Sequence, residues 1–501
     1  MAKRVASIIE KNCVAASSQI NQISPYADII ELRFDYWLEL NLTEIAILRE
    51  QITLPVIFTL RTQAQGGYCS LSETERLDFI RQLATLAPDY VDLEYNVAAE
   101  FISELKRDFP KIQIIGSYHD FNSTPDSLAA LWQAIYQPLF HIFKIATFAH
   151  SICDSLRLML FTQEYSQHHR LITMAMGEYG QVSRITGKIV GSLFTYGSVD
   201  TNTSAAPGQL SLAELTDIYR VQTLNSQTQI YALLGNPISQ SPGHIVHNQM
   251  FALLQKNAVY VKLRVAQEDL KTAVSLLRQL PFAGFSVTIP HKEQIVQELD
   301  VLSEEAQIIH VVNTIKRQNN QYQGYNTDGS GAADVLATKF SLAKRRILIL
   351  GAGGSAKAIA YALLEHDAAI TMCNRNRARA ETFTAQYGGV TIDFPSLFAM
   401  SSLDFDVMVN TLPGEAFAEL CQNWQIPPAK GPESIAMDIV LKPLDTLFLQ
   451  KAKHAGWSCI SGDALFAAQG LRQLEIWFDL VDSSHADLSK SLRAILIAHK
   501  L

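Results

Sequence analysis

Lys144 is the residue whose surroundings most directly suggest covalent chemistry. It lies in the apolar run Phe143-Lys144-Ile145-Ala146-Thr147, where burying a lysine without a role would be costly. A lysine surrounded by apolar side chains is held as a neutral amine, the form that attacks a ketone to give a Schiff base. The alternative is a structural lysine that extends from a strand end into solvent.

His119 supports the covalent interpretation, because imine chemistry requires a group that moves protons, and histidine does this near neutral pH. We expect Glu31 to orient its ring. A lone histidine is more often a core residue. However, Arg33, Arg61 and Arg184 also follow or end predicted strands, and such a set of cations suits an anionic substrate.

A second chemical motif is the glycine turn between an apolar strand at 346–350 and an alanine-rich helix. Its form, G-x-G-x-x-A, allows a tight turn and lets backbone N–H groups approach a pyrophosphate. The alternative is a glycine loop that simply ends a buried strand. The residues that we assign to binding a dinucleotide here are Gly351, Gly353, Gly354, Ser355 and Ala356.

The next predicted strand, 368–373, ends where such folds place the side chain that contacts the ribose. An NAD site favours Asp or Glu there, but this chain has Asn374, Arg375 and Arg379. Charge-assisted hydrogen bonds from arginine to a 2′-phosphate would favour NADP by roughly tenfold to a hundredfold. The alternative is a solvated basic start of a helix.

Two serines precede a predicted helix that begins near His244. Ser239 and Ser241 stand two residues apart in Gly-Asn-Pro-Ile-Ser-Gln-Ser, which places two hydroxyls near a helix N-terminus. That arrangement suits a carboxylate, although composition alone favours a simple turn.

The elements that must position the first group of residues are eight strands alternating with amphipathic helices such as 72–86. This pattern over about 220 residues predicts a (β/α)8 barrel, in which chemistry lies at the C-terminal strand ends. The predicted strands are Val5–Ile9, Asp28–Arg33, Pro55–Arg61, Tyr90–Tyr95, Lys111–Phe121, Phe143–Ala149, Arg170–Gly177 and Lys188–Thr195.

The rest of the chain predicts a two-lobed α/β dehydrogenase. We expect a barrel over 1–222, a short polar link, a substrate-binding lobe over 229–329 to which 463–501 return, and a Rossmann-like NADP lobe over 330–462. A cleft between the two lobes would hold the substrate.

Bulk properties narrow the class of protein. The 501 residues carry a net charge of −8. This negative charge does not favour binding to nucleic acid or to an anionic membrane. No run has membrane-spanning length or the form of a signal peptide. Six scattered cysteines show no metal or disulfide spacing, and we predict no metal site. We expect a cytoplasmic monomer that acts on small molecules.

Residues 5–215 resemble the type I 3-dehydroquinate dehydratases. The resemblance is carried by Glu-Leu-Arg-Phe-Asp at 31–35, Thr-Leu-Arg at 59–61, Ser-Tyr-His-Asp at 117–120, Lys144, Met-Ala-Met-Gly at 174–177, Ser-Arg at 183–184 and Pro-Gly-Gln at 207–209. It implies that Lys144 forms an imine with 3-dehydroquinate and that His119, paired with Glu31, is the general acid/base. The residues that it implies for substrate binding are Arg184 for the carboxylate, and Arg33, Arg61 and Gln209 for the hydroxyls and ring.

From about residue 230 the chain resembles shikimate dehydrogenase, through Gly-Asn-Pro-Ile-Ser-x-Ser, Val-Thr-Ile-Pro-His-Lys at 287–292, Val-Asn-Thr at 312–314, Asn-Thr-Asp-Gly at 326–329 and the glycine turn. The resemblance implies a catalytic pair of Lys292 and Asp328, and reduction of 3-dehydroshikimate to shikimate with NADPH. Hydride delivery to a ketone leaves an alkoxide, and a lysine fixed by an aspartate can protonate it. The residues that the resemblance implies for substrate binding are Ser239, Ser241, Thr288, Asn313 and Gln469.

Four positions depart from these families: Gln65 for a usual Glu, Ala205 for Ser, Ser286 for Asn and Leu441 for Tyr. They motivate an alternative, a regulatory binding protein that keeps both folds without turnover, although no effector or DNA-binding segment is apparent. A third possibility is an aldolase-type imine-forming barrel fused to another NADP reductase. Taken whole, the chain resembles the bifunctional dehydroquinate dehydratase–shikimate dehydrogenases.

Overall fold

The computed structural model of the chain describes residues 3–200, 206–400, 404–422, 424–480 and 485–499. Residue contacts divide the chain into two compact units, Met1–Ala232 with Phe251–Phe282, and Leu233–Met250 with Ala283–Leu501. Residues 251–282 thus group with the first unit. The sequence analysis instead includes them in the predicted substrate-binding lobe, 229–329. The predicted segment boundaries stay a prediction.

Eight strands form the centre of the first unit. They are β1 (Lys3–Ile8), β2 (Ile29–Arg33), β3 (Val56–Thr59), β4 (Tyr90–Glu94), β5 (Gln113–Asp120), β6 (Ile142–Phe148), β7 (Leu171–Met176) and β8 (Phe194–Gly197). All neighbours in the order β7-β6-β5-β4-β3-β2-β1-β8 pair in parallel. The N–H of Leu193, just before β8, donates to the carbonyl of Leu171 at 2.8 Å. This hydrogen bond links β7 and β8, which are the first and last strands of that order. The sheet therefore closes on itself, and the predicted barrel is confirmed.

Helices alternate with these strands. They are α1 (Cys13–Ile23), α2 (Leu42–Gln51), α3 (Glu73–Ala84), α4 (Ala99–Asp108), α5 (Leu128–Ile135), α6 (Ile152–Tyr165) and α7 (Gln181–Thr186). Ser72 and Glu75 form a capping box that starts α3, so the predicted helix at 72–86 is confirmed.

The barrel interior is apolar at one end and polar at the other. Val5, Ile29, Ile57, Ile142 and Ile172 belong to one fully buried cluster. Because residues two apart on a strand share a face, the polar residues further along the same strands also point inward. The sequence therefore places its titratable side chains above an apolar floor, at the C-terminal ends of the strands.

The eighth strand begins later than predicted. Residues 188–191 form turns, and β8 starts at Phe194. Gly191 adopts φ +106°, a conformation that glycine takes without strain, and this turn separates α7 from β8.

Along the chain, six strands and four helices follow the barrel and precede the parallel sheet of the second unit. They are β9 (Gln229–Gly235), β10 (Ala258–Arg264), β11 (Phe282–Val287), β12 (Val301–Leu302), β13 (Thr314–Gln318) and β14 (Gln321–Tyr325), with α8 (Gly243–Leu253), α9 (Leu270–Leu277), α10 (Glu304–Ile309) and α11 (Asp328–Ala337). In the first unit, Arg264 of β10 donates to Glu178 at 2.8 Å. In the second unit, the strands run in the order β9-β11-β13-β14-β12, and β13 pairs antiparallel with both β11 and β14.

The second unit also holds a six-stranded parallel sheet. Its strands are β15 (Arg346–Leu350), β16 (Ala369–Cys373), β17 (Val390–Ile392), β18 (Val407–Asn410), β19 (Ile435–Asp438) and β20 (Ser458–Ile460). The order β17-β16-β15-β18-β19-β20 is that of a doubly wound dinucleotide-binding sheet. Ile347 and Ile349 join one apolar cluster and Leu348 and Leu350 another, so β15 is buried on both faces, as its unbroken apolar run predicts.

The remaining helices complete this unit. They are α12 (Gly354–Glu365), α13 (Arg377–Tyr387), α14 (Phe394–Phe398), α15 (Gly414–Leu420), α16 (Leu447–His454), α17 (Gly462–Phe478) and α18 (His485–Ala498). Trp477 of α17 donates its indole N–H to the carbonyl of Ile315 in β13 at 3.0 Å. Helix α17 therefore packs on the sheet that contains β13, and the return of residues 463–501 to the substrate-binding lobe stays a prediction.

Among the helices within the described ranges, none combines the length and the apolar character that crossing a membrane requires.

Candidate active sites

One cavity in the barrel brings together all the side chains that the sequence predicts for the first reaction. Gln65 lines the same cavity, as do several apolar residues. The predicted residues that line it are Glu31, Arg33, Arg61, His119, Lys144, Arg184 and Gln209.

Lys144 lies on β6 and is only 4% exposed. Its Nζ donates to Oδ2 of Asp92 at 3.1 Å and lies 3.6 Å from Oε1 of Glu31. The face of the Tyr196 ring is on another side, with its centroid 4.2 Å from Nζ. The predicted apolar surroundings are therefore wrong, because two carboxylates contact the nitrogen.

Asp92 lies among the polar residues at the predicted strand ends, but sequence reasoning assigned it no role in the site. It is buried on β4, where its carboxylate contacts Lys144 and lies 2.9 Å from Nη2 of Arg61. Burial alone would raise the pKa of Asp92, but Arg61 and Lys144 outweigh it and hold that pKa below its ordinary value. The available signal was strand alternation: Asp92 and Glu94 lie two apart on one predicted strand and must share its inner face.

Glu31 is held by hydroxyl groups. Its Oε2 accepts from Ser7 Oγ at 2.7 Å and its Oε1 accepts from Thr59 Oγ1 at 3.0 Å. The predicted pairing of Glu31 with His119 is not formed, since the carboxylate is directed at these hydroxyls and at Lys144.

His119 is fixed through its main chain. Its N–H donates to Oε1 of Gln65 at 2.7 Å, and its ring stacks on Phe121 with centroids 6.3 Å apart. Its buried Nδ1 has no hydrogen-bond partner among the residues that the structure describes. Burial, and then the positive charge of Arg61 and its neighbours, hold the pKa of His119 well below 6.5. The imidazole is therefore a neutral base with a free ring nitrogen.

The arginines of the cavity differ in their partners. Arg33 forms two 2.8 Å hydrogen bonds with the carboxylate of Asp35. Arg184 is 2% exposed, and its Nη1 reaches only the sulfur of Met174 and the carbonyl of Tyr196, each at 3.5 Å. Its Nε and Nη2 are buried without a partner among the described residues, and burial lowers its pKa to about 10. A buried guanidinium with two free donors is prepared for an anionic ligand.

The second unit assembles the other predicted catalytic pair. Nζ of Lys292 donates to Oδ2 of Asp328 and, at 3.0 Å, to Oγ of Ser355. Ser355 in turn donates to Asp328 at 3.1 Å, and Asn313 donates to the other carboxylate oxygen at 2.8 Å. Burial would raise the pKa of Asp328, but Lys292 and these donors lower it. The carboxylate is thus ionised and holds the lysine at a fixed position.

Further predicted residues surround this pair. Thr327 donates its backbone N–H to Oδ1 of Asn313 at 2.9 Å and its hydroxyl to Gln469 at 3.5 Å. The departure at Ser286 is accommodated by Gln473, whose Oε1 accepts from Ser286 Oγ at 2.9 Å. A polar cluster therefore continues from Asn313 to α17.

The two predicted serines lie between β9 and α8. Oγ of Ser241 accepts the N–H of Gly243 at 3.3 Å, at the start of α8. The N–H of Thr288 donates to the carbonyl of Leu234 at 2.9 Å. This bond places Thr288 beside the strand that leads to Ser239.

The predicted phosphate loop joins β15 to α12. Gly351 has φ +117°, and a Cβ there would lie 2.3 Å from Oγ1 of Thr411, so only glycine fits. A Cβ at Gly353 would meet nothing within 4 Å, which leaves open space over the loop. Ala356 is fully buried and packs α12 against the sheet, while Gly354 and Ser355 form its first turn. These residues fit a dinucleotide pyrophosphate.

The predicted ribose-binding residues lie on the surface after β16. Nη1 of Arg375 is 3.4 Å from Glu419, and Nη2 of Arg379 is 3.3 Å from Glu293. Asn374 donates to the carbonyl of Asn376 at 2.9 Å. Asn374 and Arg375 border a cavity of about 200 Å³. Its apolar lining includes Phe394, Phe398 and Leu412.

Of the remaining departures, Leu441 borders a surface groove with Pro443 and Ile497, and Ala205 lies outside the described residues. Across the described ranges no group of three His, Cys, Asp or Glu side chains is arranged to hold a metal ion.

Comparison with known proteins identifies both halves. The type I 3-dehydroquinase family model matches residues 5–226, the shikimate dehydrogenase substrate binding domain matches 233–315, and the shikimate/quinate 5-dehydrogenase model matches 334–411. A solved structure of the dehydroquinate dehydratase and shikimate dehydrogenase from S. pombe AroM is 25% identical, with 98% of each chain covered and a TM-score of 0.43.

Two curated relatives cover most of the chain. The chloroplastic bifunctional 3-dehydroquinate dehydratase/shikimate dehydrogenase of Arabidopsis thaliana is 32% identical, covering 91% of this chain and 78% of its own length. The shikimate biosynthesis protein AroDE of Chlamydia pneumoniae is 31% identical, covering 92% of each. The chain therefore belongs to the family of bifunctional 3-dehydroquinate dehydratase/shikimate dehydrogenases.

Proposed function

We propose that the barrel site dehydrates 3-dehydroquinate through an imine on Lys144, and that the second site reduces the resulting 3-dehydroshikimate to shikimate with NADPH. The observation that carries the first assignment is the occurrence, in one cavity, of a buried amine and a buried guanidinium whose Nε and Nη2 have no partner among the described residues. An amine attacks a ketone and a guanidinium binds a carboxylate, so the two together select a keto acid.

The dehydration follows from the positions of Lys144 and His119. Nζ attacks the substrate ketone, and loss of water leaves a protonated imine, which acidifies the neighbouring C–H bond. His119, a neutral base in this cavity, takes that proton and returns it to the departing hydroxyl, which leaves as water. Hydrolysis of the imine then releases 3-dehydroshikimate and restores the amine.

The remaining cavity residues orient the substrate. Arg184 has two free donors for the carboxylate. Arg33 and Arg61 are already neutralised by Asp35 and Asp92, so they suit neutral hydroxyls better than a second anion. Gln209 would add an amide to the same set.

The test of the covalent step is reduction with borohydride during turnover. Hydride addition to the imine carbon would leave a secondary amine, so the peptide that contains Lys144 should gain the mass of the bound product. No added mass on that peptide would refute the imine. Lys144→Met serves as the matched control, because it keeps an unbranched side chain without the nitrogen.

In the second site, Lys292 is the proton donor and Asp328 holds it in place. The fixed ammonium supplies the proton that a developing alkoxide requires, and Asn313 and Gln469 would bind substrate hydroxyls. Ser239, Ser241 and Thr288 would bind the carboxylate of the substrate. NADPH, when bound, supplies the hydride.

The residues after β15 and β16 fit NADPH. The loop at 351–356 would hold the pyrophosphate, because Gly351 allows the turn and Gly353 leaves room above it. Asn374, Arg375 and Arg379 would hold the 2′-phosphate, which would displace Glu419 and Glu293 from the two arginines.

The combined function has a direct test. Full-length protein supplied with 3-dehydroquinate and NADPH should form shikimate, whereas a regulatory binding protein would form no product and an aldolase-type barrel would not form shikimate. The family matches to 5–226, 233–315 and 334–411 support a division near the proposed segments 1–222, 229–329 and 330–462, while the return of 463–501 to the second segment stays a prediction. A monomer, free of nucleic-acid and membrane partners, stays a prediction.

A further inference from the structure

Tyr196 occupies the interior of the barrel and has no role in the reaction described so far. It lies on β8 opposite Val5 of β1 and is 3% exposed. Its hydroxyl is buried without a hydrogen-bond partner in the described part of the chain. A buried hydroxyl without a partner is costly, so the position of this side chain needs another reason.

The ring of Tyr196 contacts the reacting nitrogen. Its centroid lies 4.2 Å from Nζ of Lys144, within the range of a cation–π interaction. Both side chains are nearly excluded from solvent, which strengthens such a contact. The other two contacts of Nζ are the carboxylates of Asp92 and Glu31.

Imine formation changes what these contacts can supply. An ammonium has three N–H donors, whereas a protonated imine has one: the ammonium and the ketone give the iminium and one water, which carries away two of the three hydrogens. The positive charge is kept while two donors are lost. The hydrogen-bond part of a carboxylate contact needs a directed N–H and is lost with it, whereas attraction to a ring face needs only a cation positioned over that face.

We propose that Tyr196 is a further catalytic residue of the dehydratase site, whose ring face stabilises the cationic nitrogen of the imine intermediate. This inference rests on the proposed imine at Lys144. Burial, with Glu31 and Asp92, raises the pKa of Tyr196 well above 10, so the ring stays un-ionised throughout the working range of pH.

The test is a series of rings of graded electron density at position 196. Tyr196→Phe is the reference, and 4-fluoro- and 3,4,5-trifluorophenylalanine are introduced at the same position, because fluorine withdraws charge from the ring face with little change of shape. The readouts are the fraction of Lys144 trapped by borohydride at saturating 3-dehydroquinate and kcat for dehydration. Hydrogen–deuterium exchange of barrel peptides in the same chains reports folding of the barrel.

We expect both readouts to fall stepwise with fluorination, by about 3- to 30-fold across the series. The matched control is the same series at Phe194, a buried ring on the same strand that packs on Tyr90 at 5.5 Å, where no graded loss is expected. A flat series at 196, or an equal decline at 194, would overturn the role of Tyr196. Absence of trapped substrate in the unsubstituted protein would instead overturn the imine itself.

Discussion

Replacing Arg184 with methionine should stabilise the barrel and at the same time weaken substrate binding. Arg184 is buried without a carboxylate, and its pKa of about 10 means that the folded state disfavours its charge. Methionine fills most of the same volume without that charge. The unsubstituted protein would thus carry a folding cost that is offset only when an anion binds.

The size of the effect follows from the pKa. A fall from the ordinary pKa of an arginine to about 10, at about 1.36 kcal/mol per pKa unit, lowers the free energy of unfolding by about 3 kcal/mol. Both the folded and unfolded chains carry the charge below pH 10, so the full cost is present at neutral pH and disappears only as pH rises towards 12.5. Arg184→Met should recover up to about 3 kcal/mol of unfolding free energy. It should also raise KM for 3-dehydroquinate roughly 10- to 150-fold, the value of one lost charge-assisted hydrogen bond.

The assay is hydrogen–deuterium exchange of barrel peptides in full-length protein, with and without 3-dehydroshikimate, since peptides report the barrel separately from the second unit. Peptides of β6 and β7 should exchange more slowly in Arg184→Met than in the unsubstituted protein. Ligand should slow exchange in the unsubstituted protein and have little effect in the variant.

Arg76 offers the matched control, because it is as deeply buried but is paired. Its guanidinium lies 2.8 Å from both Glu73 and Glu94. Arg76→Met would remove the nearer of two arginines that face the buried Glu94, leaving Arg61 at 3.8 Å, and should lower the free energy of unfolding by up to about 3–5 kcal/mol. Destabilisation of similar size by both substitutions would refute the reasoning that Arg184 lacks a partner.

Four further predictions concern the remaining assignments. Asp328→Asn should lower kcat for shikimate formation about 100-fold or more. The rate is measured by NADPH absorbance, and dehydration by the same chain is the folding control. A loss below fivefold would contradict the role of Lys292 as a proton donor held by Asp328. Arg375→Ala should raise KM for NADPH about 10- to 100-fold and that for NADH little, and equal effects on both cofactors would remove the 2′-phosphate assignment. Because burial and then Arg61 hold the pKa of His119 well below 6.5, kcat/KM for dehydration should stay constant as pH falls through 6.5. Gln65→Glu would place a carboxylate beside His119, raise the pKa of that histidine and move the acid limb of the kcat/KM profile to higher pH. An unmoved pH profile would show that residue 65 does not influence the imidazole ring.

Much of this fold follows from local sequence. Apolar runs of about six residues that alternate with amphipathic stretches predict the barrel strands, and the structure differs mainly at β8, where Gly191 extends a turn. The turn at Gly351 was equally predictable, because the φ of +117° there is a local requirement that glycine meets.

The partners of the charged residues were not predictable in the same way. Asp92 contacts Lys144 across 52 residues of sequence, and the predicted pairing of Glu31 with His119 is replaced by contacts to Ser7 and Thr59. Strand alternation says which side chains face inward, but it does not say which of several inward carboxylates reaches a given cation.

The sequence by itself determined the residue types of both sites, the strand ends that carry them and the glycine turn, because each depends on neighbours within a few positions. Only the tertiary structure decided which charges are compensated: Arg33 by Asp35, Lys144 by Asp92 and Glu31, and Arg184 by no described side chain. The physical reason is that charge interactions act over a few ångströms in space, and the register and curvature of a barrel, not distance along the chain, set those separations.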